Sequence, residues 1–271
     1  MMMKNNSCLI VNFWLGDRRK HPDIYDKDKL IYLKTQIKYL RLYQNNLSTI
    51  YFNFNVETNH YGILNKALKL IPKYINGSKI EINIRKNNGF SYATWDEIAS
   101  REIENYDYFI FNEDDYFFTQ DNWDSYLINK YKSKENIGYL AMGVRPHPNN
   151  FEWTFHSVGM SSRENIKKVI KKFGNLTGKK YLDSFSYKEG ETLQKTWGKL
   201  YSKIGLVNYD VRDDYQVEFG LTDRKEDIWK LWTWNKNILI KNSITILQSY
   251  RYAWWICHDD EYQKNKIENK T

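Results

Sequence analysis

The sequence predicts an α/β fold, a mostly parallel sheet with helices on both faces. Strand-like and helix-like segments alternate through the first half of the chain. Two of the strand candidates, residues 9–15 and 106–112, are continuous apolar runs, the pattern of strands covered on both faces. A chain of 271 residues, 41% hydrophobic and 17% aromatic, can also bury a large core.

The elements follow in order. Residues 9–15 (LIVNFWL) form the first strand, and the polar residues 16–28 a loop. Residues 29–43 carry Leu30, Leu33, Ile37, Leu40 and Tyr43 at helical spacing. A strand is expected over 49–56, a helix over 65–74 and a strand over 79–85. The next helix, 94–104, has Thr94 and Glu97 in the arrangement of a capping box. With the strand over 106–112 the order is β-α-β-α-β-α-β, which implies parallel pairing.

The second half is less regular. A strand is expected over 137–144, and a basic helix over 162–173 with Ile166, Val169, Ile170 and Phe173 on one face. Another helix spans 191–204, closed by Gly205. No repeat or linker interrupts residues 1–271, so a single domain is expected, with a ligand-binding half over 8–118 and a second half over 119–262. The polar residues from about 263 onward are expected to fray.

Composition excludes whole classes. With 13 Gly and 4 Pro the chain is neither collagenous nor low-complexity, and its aromatic content excludes general disorder. Two cysteines, Cys8 and Cys257, neither staple a chain of this size nor make a zinc site alone, which suits a reducing compartment. No apolar run reaches the ~18 residues of a membrane helix, and the start lacks the pattern of a signal peptide; a cytoplasmic location is expected, with peripheral membrane contact as an addition. The net charge of +8 rests on Lys that travels with abundant Asn, Ile and Tyr. It is read as coding bias with no nucleic-acid partner, and a functional basic face as one for phosphate groups or anionic lipid.

The most informative segment ends the apolar strand at Asn112 with Glu113-Asp114-Asp115. Adjacent carboxylates against apolar neighbours repel one another and lose hydration, and a divalent cation relieves both. In extended chain Glu113 and Asp115 share a side and Asp114 takes the other. Magnesium and manganese accept one or two carboxylates and fill their remaining positions with phosphate oxygens and water. A solvated charged turn is the plain alternative. Upstream, Arg85-Lys86-Asn87-Asn88-Gly89 joins a strand to a helix, with an Asn-Gly turn signal and helix N–H groups open to an anion.

A strand, an Arg-x-x-Asn-Gly loop, a helix and a hydrophobic strand ending in Glu113-Asp114-Asp115 together resemble glycosyltransferases of the GT-A fold, with the acidic triplet as a variant of their DxD motif. The stretch from Asn88 to Trp95 resembles the rhamnan-synthesis type of polysaccharide transferase within the family 2-like enzymes. His156 to Glu164 is similar to the strand, turn and arginine-started helix of that group, and Glu189-Gly190-Glu191-Thr192 to its Gly-Glu-Asp helix start. The resemblance covers residues 9–205 and extends to His258.

The resemblance implies the roles. Asp115 would hold Mn2+ or Mg2+, assisted by Glu113, with His258 as a late third ligand; the plainer reading of His258 is the end of a buried strand. Asp114 would face the ribose. Phe13 and Trp14, with the second strand end over Asn55–Glu57, would flank the base, and Arg85, Asn88, Gly89 and Asp96 would line the same nucleotide-sugar pocket. An inverting transfer needs a carboxylate base: Glu191 is the first candidate and Glu189 the second, with Asp213 and Asp214 as alternatives and a retaining transfer left open. Trp229, Trp232 and Trp234 follow Arg224-Lys225 and offer sugar-stacking or membrane-facing surface, although most tryptophans serve cores.

The expected function is a metal-dependent hexosyltransferase acting in polysaccharide biosynthesis, with a nucleoside diphosphate sugar as donor (a UDP-sugar favoured) and a glycan or lipid-linked acceptor. A sugar-phosphate nucleotidyltransferase ranks below it, because Leu15-Gly16-Asp17-Arg18 lacks the Gly-rich phosphate loop of that class. A non-catalytic carbohydrate-binding module and a nuclease are the other readings.

Overall fold

The computed structural model describes residues 6–16, 28–114, 116–118, 121–141, 144–146, 152–154, 159–178, 193, 196–210 and 247–249. In chain order these give β1 (Ser7–Leu15), α1 (Ile31–Leu42), β2 (Thr49–Val56), a 3-10 turn (Thr58–His60), α2 (Tyr61–Leu68), β3 (Tyr74–Ile75), β4 (Ser78–Lys86), α3 (Phe90–Arg101) and β5 (Tyr108–Glu113). They continue as β6 (Tyr116–Phe118), α4 (Trp123–Lys132), β7 (Ile137–Ala141), β8 (Val144–Pro146), β9 (Glu152–Thr154), β10 (Gly159–Ser162), α5 (Arg163–Phe173), α6 (Lys199–Ser202), β11 (Val207–Asp210) and β12 (Leu247–Ser249).

Eight strands form one sheet in the order β11-β7-β10-β5-β1-β2-β4-β3. The β5-β1-β2-β4 run is parallel throughout, as the alternation of elements requires. Beyond β5 lies β10, antiparallel to both β5 and β7, and β11 runs parallel to β7. The α/β class with a mostly parallel sheet is therefore present.

Alternation along the strands divides the core in two. Leu9, Val11, Phe13 and Leu15 of β1 join Ile50, Phe52 and Phe54 of β2 under α1 and α4. On the opposite face Cys8, Ile10, Phe109 and Phe111 meet Trp95 of α3, Val169 of α5 and Trp197. Burial pushes the Cys8 thiol well above its ordinary pKa, so this cysteine is a small core residue and not a nucleophile. Among the described residues no helix is long and apolar enough to cross a membrane.

The structure corrects several local expectations. The second helix runs over Tyr61–Leu68 and not 65–74, because the chain turns at Asn76-Gly77, with φ of 48° and 76°, into the β3–β4 hairpin. No capping box opens α3. The helix starts four residues before Thr94, from Gly89 at φ 88°, and the Thr94 hydroxyl is committed inside the fold to Asn55. Helix α4 was not anticipated. The basic helix starts at Arg163 as expected, with the Ser162 hydroxyl accepting from the Asn165 N–H at 3.3 Å and Gly174 closing it at φ 87°. Of the expected 191–204 helix the described part is helical at Leu193, Thr196 and α6, ending before Gly205. The tryptophans at 229, 232 and 234 lie outside the described residues.

Gly159 shows how tightly β10 is held. It pairs with Phe111 on one side and Ala141 on the other, and a Cβ there would strike the Leu140 carbonyl oxygen. Gly159→Ala should therefore destabilise the protein by about 3 kcal/mol, read as a lower urea midpoint at unchanged slope.

Candidate active site

Strands β1, β2, β4 and β5 all present their carboxyl ends at one edge, where open parallel sheets take ligands. Register lines up polar residues across this edge. Glu113 stands opposite Asn12, Asn12 opposite Asn53, and Asn53 opposite Asn83. Two residues further along, Trp14, Asn55 and Arg85 form a second row. Because side chains alternate, both rows project to the face covered by α3.

The rows are joined by hydrogen bonds. Asn53 Nδ2 donates to Asn12 Oδ1 at 2.7 Å, to Thr94 Oγ1 at 3.0 Å and to Asn55 Oδ1 at 3.3 Å. Asn83 Nδ2 donates to Asn53 Oδ1 at 2.6 Å. Asn55 Nδ2 donates to Asn12 Oδ1 at 3.0 Å and to the Phe90 carbonyl at 3.1 Å. Asn12, in turn, donates from Nδ2 to Ser91 Oγ at 3.1 Å, and Ser91 donates to Glu113 Oε1 at 3.1 Å. Buried amides left unmatched would each be destabilising by about 1–3 kcal/mol, so a matched ladder holds these strand ends and the start of α3 in one arrangement.

The acidic turn is held from the other side as well. Gln36 of α1, fully buried, donates from Nε2 to the carbonyls of Glu113 and Asp114 at 3.3 Å each, and to that of Tyr116. Asn112 Nδ2 also reaches the Tyr116 carbonyl, at 2.9 Å. The buried Asp114 accepts the Trp14 N–H at Oδ2, 3.2 Å away. Glu113 and Asp114 therefore leave β5 in different directions, Glu113 to Ser91 and Asp114 to β1, as alternation requires.

The rim is built by β1, β2 and the β4–α3 loop. Trp14 Nε1 donates to Glu57 Oε1 at 2.7 Å, and its ring meets Phe90 edge-on at 6.4 Å. A side chain at Gly16 would collide with both Trp14 and Glu57. Arg85 donates to the Asn88 carbonyl at 3.0 Å and to its Oδ1 at 2.8 Å, reaches Asn55 Oδ1 at 3.5 Å, and pairs with Glu97 at 3.1 Å. Gly89 at φ 88° and Phe90 at φ 52° give the loop its left-handed turn; the positive φ of the bulky Phe90 is uncommon and is secured by Asn55 on its carbonyl.

The structure thus joins Arg85 and Asn88 to Glu113 through Asn55, Asn12 and Ser91, and Trp14 to Glu57 and Asp114, with Phe90 touching both groups and Gly89 in the same loop. It sets two proposed pocket residues elsewhere. Phe13 is on the opposite pleat, 2% exposed, packed against Phe52 and Phe54. Asp96 is buried and accepts the Leu176 N–H at 2.8 Å, tying α3 to the turn after α5. Asp115, Glu189, Glu191, His258 and the Asp213–Asp214 pair lie outside the described residues.

Sequence reasoning placed Asn55 at the site but missed Asn12, Gln36, Asn53, Ser91 and Thr94. For Asn12 and Asn53 the signal was present only as polar residues within otherwise apolar strands, while Gln36, Ser91 and Thr94 stand on helices. Among the described residues no three His, Cys, Asp or Glu side chains stand close enough together to hold a metal ion. The oxygen donors of Glu113 and Asp114 are of the kind that Mg2+ and Mn2+ prefer.

No protein-family model matches the chain, and neither does any curated protein sequence. Among solved structures, the chain is similar to the glycosyltransferase GlyE of Streptococcus pneumoniae TIGR4, at 10% identity and a TM-score of 0.43, over 98% of this chain. The chain spans 63% of the length of GlyE. It is similar too to a cytidylyltransferase from Leptospira borgpetersenii, at 11% identity and a TM-score of 0.44, over 89% of this chain and 97% of that one. The 4-diphosphocytidyl-2C-methyl-D-erythritol synthase of Anaerococcus prevotii is similar over 76% of this chain and 87% of its own, at 8% identity and a TM-score of 0.39.

Proposed function

We propose that the chain is a glycosyltransferase that takes its sugar from a nucleoside diphosphate sugar, a UDP-sugar by preference, and passes it to a glycan or lipid-linked acceptor. The observation that carries this reading is the placement of Glu113 and Asp114. Glu113 closes β5 opposite Asn12 of β1 and Asp114 follows it, at the edge where such sheets bind ligands. The turn is secured by Gln36, Trp14 and Ser91 before any ligand arrives, which suits charged groups that must keep a fixed geometry.

In this reading Asp115 and Glu113 hold Mn2+ or Mg2+, with His258 as a further ligand. Asp114 sits on the ribose side, Trp14 and Glu57 border the base, and the Arg85–Asn88 loop borders the diphosphate. The metal, when bound, supplies charge neutralisation on the departing diphosphate. Glu191, with Glu189 as second candidate, accepts the acceptor hydroxyl proton in an inverting transfer. The described residues that support the reading lie at the carboxyl edge of the sheet, where the donor would bind.

The test is a thermal-shift panel of UDP, GDP, CMP and dTDP with and without manganese. A ligand at about 100 times its Kd should stabilise the protein by roughly 2.7 kcal/mol. A manganese-dependent shift with one diphosphate, lost in Asp115→Asn, is the expected result. Turnover of CTP and a sugar phosphate with release of pyrophosphate would make the chain a nucleotidyltransferase instead. No shift with any nucleotide, in protein that melts cooperatively, would overturn the reading in favour of a carbohydrate-binding module.

A further inference from the structure

The net charge of the chain is not spread evenly. Residues 29–80 hold seven lysines and Arg41 against a single acid, Glu57, so this stretch alone carries +7 of the total +8. It supplies α1 and α2. Lys34, Lys38 and Arg41 fall four and three residues apart along α1, which places them on one face. Lys34 is paired with Asp28 at 2.7 Å and Lys79 with Glu81. Lys38, Arg41, Lys66, Lys69 and Lys73 pair with no acid among the described residues.

Apolar side chains stand among these cations. An open groove is lined by Lys34, Ile37, Lys38, Arg41, Leu42 and Leu70. Leu42 is 55% exposed and Leu70 40% exposed. Leucines left in water beside unpaired cations match a partner that offers negative charge and hydrocarbon at the same depth. We infer that the α1–α2 face of this protein docks on an anionic lipid surface, with Lys38 and Arg41 at the headgroups and Leu42 and Leu70 in the acyl boundary. The basis is charge complementarity joined to the exposed leucines. A second copy of the chain would bring the same positive face and repel. A nucleic acid would satisfy the cations but gain nothing from an aliphatic floor, since bases stack on aromatic rings.

This surface lies on the α1 side of the sheet, while the Asn12–Glu113 row faces α3. The inference stands independently of the transferase reading, and its test uses no nucleotide. The full chain is sedimented with vesicles of phosphatidylcholine alone and of equal parts phosphatidylcholine and phosphatidylglycerol. Binding to the anionic vesicles alone, weakened by salt, is expected. A Lys38→Gln/Arg41→Gln variant should bind about 30-fold more weakly, about fivefold for each charge removed. Leu42→Ser/Leu70→Ser should lose roughly tenfold. Both variants alter exposed side chains and should melt with the parent protein, which separates lost docking from lost folding. Three results would overturn the inference: no binding to either vesicle, equal binding to both, or a leucine variant that binds as well as the parent. The last would mark the face as a simple polyanion site.

Discussion

Trp95→Ala should lower the stability of the protein by about 3–5 kcal/mol, the range for emptying the site of a large buried aromatic. Trp95 is fully buried where three parts of the chain meet. Its ring centroid is 5.4 Å from Tyr92 on the same helix, 5.6 Å from Phe111 of β5 and 5.4 Å from Trp197. Phe111 and Trp197 also touch each other at 5.3 Å, so the cluster closes on itself and cannot collapse freely into the space left behind. A domain's whole stability is typically about 5–15 kcal/mol, so this single change would remove a large part of it. Urea unfolding followed by tryptophan fluorescence and by circular dichroism should give a common, lowered midpoint. Trp95→Phe should be milder: it keeps a ring in place and removes an indole N–H that has no acceptor among the described residues. Equal losses from the two variants would contradict the packing argument.

Asn12→Leu is expected to be nearly as damaging despite conserving volume. Asn12 is 4% exposed and takes part in three side-chain hydrogen bonds, with Asn53, Asn55 and Ser91. Leucine offers none. At about 1 kcal/mol per bond the loss is about 3 kcal/mol, which for a chain of this size corresponds to a fall in Tm of roughly 6–12 °C. Asn12→Asp separates the causes. Its carboxylate can still accept from Asn53 and Asn55, but it has no N–H for Ser91 and stands in register beside Glu113. Burial and a neighbouring like charge raise the folded-state pKa of such a group. Its relative stability is then greatest below the unfolded pKa of about 3.9 and declines as pH rises through the folded value. The deficit of Asn12→Asp against the parent protein should therefore narrow on acidification, whereas that of Asn12→Leu should not. A pH series of melts distinguishes the two.

The ladder also marks the limit of what the sequence could disclose. The central strands were legible because a strand covered on both faces is a run of apolar residues, and β1 and β5 are such runs. The acidic end of β5 was legible because carboxylates rarely follow buried strands without cause. Asn12 and Asn53 were not. Thr49-Ile-Tyr-Phe-Asn-Phe-Asn-Val56 reads as an alternation of buried and solvent-facing residues, and only the register with β1 and β4 shows that its polar positions meet other amides beneath α3. The start of α3 was misplaced for a related reason. Thr94 and Glu97 have capping-box spacing, but the hydroxyl serves Asn55 and the carboxylate serves Arg85. Gln36 was hidden on a helix whose apolar stripe accounted for its burial. In each case the partner lies across the sheet, beyond the range of local pattern.

The position of β10 has a consequence for how the chain is made. On the ribosome β5 emerges long before Gly159–Ser162, the segment that covers its outer side. At about 5–20 residues per second, the interval between Glu113 and Gly159 lasts a few seconds. During that time Tyr108-Phe109-Ile110-Phe111 would stand as the open edge of a half-built sheet, with unpaired backbone groups facing outward and apolar side chains on incompletely covered faces. The nascent chain is most exposed to aggregation in that window, and the acidic residues that flank β5, Asp107 before it and Glu113-Asp114 at its end, put negative charge at both ends of that bare edge.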